Sequence, residues 1–71
     1  MINKNRLEGA IRSAGLTEGR VAKEMHISAN TFSTKKNKGT FTLAQVDQIC
    51  TIVGISDPKD KCDIFLLEAF Q

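Results

Sequence analysis

The sequence predicts an all-α fold, a compact domain of five short helices. Three observations predict it. Apolar residues recur three and four positions apart, the helical period, with no sustained alternation. Good N-caps (Thr17, Ser28, Thr42, Asp57) precede the runs, and Gly15 and Gly54 follow two of them. Finally, 71 residues leave room for one domain with a small core, since a chain this short buries only about 60% of its unfolded surface. With 41% hydrophobic and 25% charged residues, the composition is that of a globular chain, which argues against disorder.

The first helix is expected over about 3–14, with Leu7, Ala10, Ile11 and Ala14 on one face and Gly15 as a left-handed stop. Thr17 caps a second, 18–25, whose apolar face is Val21, Ala22 and Met25. Ser28 caps a third, from 29 to about 36, with Phe32 as its main apolar residue; the following NKGT reads as a loop. Thr42 and Gln45 form a capping box for the fourth, with Leu43, Val46, Ile49, Cys50 and Val53 as its buried stripe and Gly54 as its end. Asp57-Pro58 opens the fifth. The run Ile64, Phe65, Leu66, Leu67 either finishes that helix or lies extended.

Charge is divided along the chain. Residues 1–40 carry eight Lys and Arg against three Glu, a net of +5, whereas residues 41–71 carry two against five, a net of −3. A basic half and an acidic half suggest one side that faces a polyanion and a different back.

The most informative stretch is LTEGRVAKEMHISANTFSTKK, residues 16–36. Two short helices joined by a three-residue turn need a small residue where they touch, and Ala22 supplies it. The turn needs a residue tolerant of positive φ, a role open to His26. Val21, Met25, Ile27 and Phe32 then clasp the pair. Ala29, Asn30, Thr31, Ser33, Thr34, Lys35 and Lys36 are left as a polar, basic outer face, which suits a major groove.

This span resembles the helix-turn-helix of the Cro and repressor family of phage regulators. More loosely, the whole chain resembles that family's five-helix, lambda-repressor-like domain, with the helix-turn-helix at helices two and three. ANTFSTKK followed by GTFTLAQVDQIC is most similar to small Cro-position or antirepressor proteins of Gram-positive phages. The resemblance implies transcription regulation in the bacterial cytoplasm, by binding a near-palindromic operator as a dimer. By position it puts Thr17 and Glu18 at a helix start facing a phosphate. It puts Ala29, Asn30, Ser33 and Thr34 at base-facing positions after the Ser28 cap, and Lys35, Lys36 and Lys38 near the backbone. Two departures motivate a second reading. Glu18 stands where many members have Gln, and Ala29 replaces a residue that often reads a base edge. In that reading the chain is an antirepressor that binds a companion phage repressor and alters its DNA binding in the lysis–lysogeny switch.

Other functions find little support in the residues. His26, Cys50 and Cys62 are one ligand short of a structural zinc site, and the cysteines read as reduced, buried or half-buried thiols. Ser28, Ser33 and Thr34 have no base behind them, and Asp60 and Asp63 read as N-terminal helix charges, so no enzyme, metal or cofactor is expected. No apolar run approaches the roughly 20 residues that span a bilayer, and no secretory signal is expected at the N-terminus. Phe65, Leu66, Leu67 and Phe70 exceed what a small core absorbs, so the C-terminal segment is a candidate homodimer contact.

Overall fold

The computed structural model describes residues 2–65, and all regular structure among them is α-helical. The order is α1 (Lys4–Ser13), α2 (Glu18–Glu24), α3 (Ala29–Lys38), α4 (Leu43–Val53) and α5 (Pro58–Phe65).

Each of the first four helices starts on a side-chain cap. Asn3, Thr17, Ser28 and Thr42 accept from the backbone N–H of Arg6, Arg20, Thr31 and Gln45, so an otherwise orphaned donor is satisfied each time. At Thr42 the Gln45 side chain accepts in return from the Thr42 N–H, which completes the capping box. Their ends share one device too. After each helix a residue turns left-handed, and the next N–H reaches back five residues: Leu16 to Ile11, Ile27 to Ala22, Thr40 to Lys35 and Ile55 to Cys50. Three of those left-handed residues are glycines; the fourth is His26, with φ 61°, as the turn argument expects.

The core gathers Leu7 and Ile11 from α1, Val21, Ala22 and Met25 from α2's side, Phe32 from α3, Val46, Ile49 and Cys50 from α4, and Ile64 and Phe65 from α5. Phe41, in the loop between α3 and α4, tilts against Phe32 with ring centroids 5.2 Å apart. α5 returns to α1: the Asn3 N–H donates to the Ile64 carbonyl at 2.8 Å, and Arg6 meets Asp63 at 3.7 Å. The second contact corrects the sequence expectation for Asp63, which lies past the first turn of α5 and answers a cation of α1. Both cysteines are free thiols, Cys50 buried and Cys62 half-buried. None of the helices described is long and apolar enough to cross a membrane.

Three further expectations change. Asn37 and Lys38, read as loop, belong to α3, because the glycine stop is Gly39. Leu43, assigned to the buried stripe of α4, is 61% exposed: at the first helical position it precedes the stretch that meets the core. Phe65 closes α5 as a helical, buried residue, so it is spent on the core; Leu66, Leu67 and Phe70 lie outside the described residues.

Candidate nucleic-acid or partner interface

α3 presents two unlike faces. Phe32 and Lys36, one helical turn apart, point inward and are buried. Away from them Ala29, Asn30, Thr31, Thr34, Asn37 and Lys38 are exposed, while Ser33 and Lys35 are half-buried at the margins. Asn30, Thr34 and Asn37 follow at steps of four and three, so they form one hydrogen-bonding stripe with Lys38 beside its end. At its start, Ser28 accepts from the Thr31 N–H at 3.0 Å and donates to the Thr31 hydroxyl at 2.8 Å. These bonds fix the first turn and commit Ser28 and Thr31 partly to the helix itself.

Lys36 is the chief correction. Expected near a nucleic-acid backbone, its side chain is only 8% exposed, and its Nζ lies 2.8 Å from Glu8 of α1 and 2.5 Å from Glu18 of α2. An ammonium enclosed by two carboxylates and three helices is no outward phosphate contact. Glu18 is displaced from its expected role as well, for its carboxylate turns inward and is only 30% exposed. Thr17 beside it is exposed, with its hydroxyl on the Arg20 N–H.

Lys36 and Glu8 favour each other's charged forms. Burial alone would lower the Lys36 pKa, but hydrogen bonds and charge attraction from Glu18 and Glu8 outweigh it and raise the value above 10.5. The hydrogen bond and charge of Lys36 hold Glu8 below 4.5. Across the neutral range, then, Lys36 and Glu8 hold opposite charges.

Sequence reasoning missed Glu8 and Asn37. The spacing from Phe32 to Lys36 is the signal that could have found Glu8's partner, since a residue one turn after a core aromatic shares its face. Asn37 was hidden by a loop boundary drawn two residues early.

The remaining charges complete the surface. Glu24 pairs with Arg20 at 3.3 Å, so all three carboxylates of residues 1–40 sit against cations of the same half. Lys4, Arg12, Lys23, Lys35 and Lys38 have no carboxylate partner among the described residues. Comparison with protein-family models, curated proteins and solved structures gives no match.

Proposed function

We propose that the chain is a phage-type transcription regulator that binds operator DNA through α3, the second helix of a lambda-repressor-like helix-turn-helix made with α2. The observation that carries this reading is the outer face of α3. Asn30, Thr34, Asn37 and Lys38 stand exposed on a ten-residue helix whose other side is seated in the domain. Such a helix is about 15 Å long, a size that enters a major groove. The left-handed His26 turn and the cations of residues 1–40 that lack a carboxylate partner among the described residues support the same reading.

In this mechanism Lys35 and Lys38 hold phosphates and position the domain. Asn30 offers an acceptor and a donor to an adenine edge, Thr34 and Ser33 offer hydroxyls, and the Ala29 methyl meets a thymine methyl. Bound protein acts by occupancy, blocking or redirecting polymerase. A near-palindromic operator would take two copies, for which the C-terminal apolar residues are the candidate contact.

Titration of a labelled duplex from the neighbouring regulatory region tests the proposal. Sub-micromolar binding by the chain alone is expected. Lys35→Ala and Lys38→Ala weaken all duplexes alike, each reducing the salt slope by about one unit. Asn30→Ala instead costs about 1–3 kcal/mol of preference for the operator. Equal loss on operator and random sequence removes the base-reading role of Asn30.

Leu43 favours a second reading. Its apolar side chain is 61% exposed just after the α3–α4 loop, where a protein partner rather than a phosphate backbone could cover it. The chain would then be an antirepressor that engages a companion phage repressor. Mobility changes that appear only when the adjacent repressor is added select this alternative.

A further inference from the structure

We infer that Lys36 serves as an internal counter-ion, masking Glu8 and Glu18 from a polyanion docked on the basic half of the molecule. The inference rests on the DNA-binding reading and assigns that surface a positioning residue that touches no nucleic acid.

The geometry supplies the argument. Residues 1–40 present the unpaired cations, yet they also contain three carboxylates, any of which would repel phosphate if it faced outward. Glu24 lies against Arg20 on the surface of α2. Glu8 and Glu18 converge instead on one ammonium, at 2.8 and 2.5 Å, from two different helices. That ammonium comes from α3, the helix whose opposite face carries Asn30 and Thr34. An apolar residue would fill the same inward position and add to the core. It would also leave two carboxylates without their shared cation, free to turn toward solvent, at the junction of α1, α2 and α3. Lysine gives up packing, draws both carboxylates inward and cancels one of their two charges. The masking works through Glu8 and Glu18, so its effect should depend on their charge and not on the net charge of the chain.

Affinity for a fluorescein-labelled 20-base-pair duplex of mixed sequence, at low salt, separates these cases in wild type, Glu18→Gln, Lys36→Met, Lys36→Met with Glu18→Gln, and Lys36→Met with Asp60→Asn. Masking predicts that Glu18→Gln alters wild-type affinity less than about twofold, because Lys36 already holds that carboxylate inward, away from a docked phosphate. Lys36→Met should bind about fivefold more weakly, the scale of one close charge pair in water. Glu18→Gln should restore most of that loss, and Asp60→Asn, equal in net charge but on α5, should not. Equal gains from Glu18→Gln in both backgrounds, or rescue by Asp60→Asn, overturn the inference and leave the DNA-binding reading intact. Failure of wild type to bind any duplex overturns both. If circular dichroism shows Lys36→Met unfolded, Glu18→Gln in the wild-type background decides alone: severalfold tightening refutes masking, and near-equality upholds it.

Discussion

α3 and α4 are built on the same plan and held in place by different forces. Both begin on a hydroxyl cap, run ten or eleven residues and stop at a left-handed glycine. α4 buries Val46, Ile49 and Cys50, a continuous apolar stripe. α3 buries one aromatic ring and one ammonium. The difference shows how a helix can be almost wholly polar and still be seated firmly: one large ring supplies most of the burial, and a charge network fixes the other inward position. The polar residues that α3 does not use for packing are then free to face outward.

The largest expected effect tests how concentrated the hold on α3 is. Phe32→Ala removes a fully buried ring and should cost about 3–5 kcal/mol. Amide exchange should rise throughout α3 before it rises in α4. Equal loss of protection in both helices would show that α3 does not hang on this one side chain.

Removing both carboxylates, Glu8→Ala with Glu18→Ala, comes next. It strands a buried ammonium, so urea denaturation should show a loss smaller than for Phe32→Ala, since both carboxylates keep partial exposure and part of their charge is screened. A variant as stable as wild type would mean that the network orients α3 without holding it.

Dependence on pH should be weaker, with its acid limb set at α3's attachment. Glu8 is held below 4.5, so its contribution is present above that value and fades as pH falls through the lowered folded value. Lys36 is raised above 10.5, so its contribution is present below that value and fades as pH rises through the folded one. Thermal melts should therefore fall at both extremes, and Lys36→Met should flatten the acid limb, while the buried thiol of Cys50 keeps part of the alkaline one. A variant that keeps the wild-type pH profile would place the dependence elsewhere.

The smallest effect belongs to α4. Leu43→Ala lies outside the buried stripe and should change stability by no more than about 0.5 kcal/mol. A larger loss would mean that Leu43 is covered in solution.

The fold was legible because its punctuation is local. Thr17, Ser28, Thr42, Gly15 and Gly54 act on backbone groups a few residues away, and each stands at a helix boundary in the structure. His26 could be read for the same reason, since positive φ is a property of one residue. Lys36 could not, because its partners lie 28 and 18 residues away and composition marks lysine as exposed. Leu43 failed in the opposite sense. Helical spacing places it on the stripe, but whether the first turn reaches the core depends on how far the α3–α4 loop carries the helix start outward. The exposed face of α3 was legible at Ala29, Asn30, Thr31 and Thr34, whereas Lys36 was placed on it wrongly and Asn37 and Lys38 were lost to the glycine at 39 being read as part of a longer loop.

The two thiols have an experimental consequence. Burial raises the Cys50 pKa, so almost none of it is the reactive thiolate near neutrality. Cys62, half-buried on the helix that closes against α1, is the more accessible of the two to a maleimide dye. The native sequence thus favours fluorescent tagging on α5, away from the face of α3 proposed to meet DNA, so that equilibrium titrations can be followed without engineering a new attachment point.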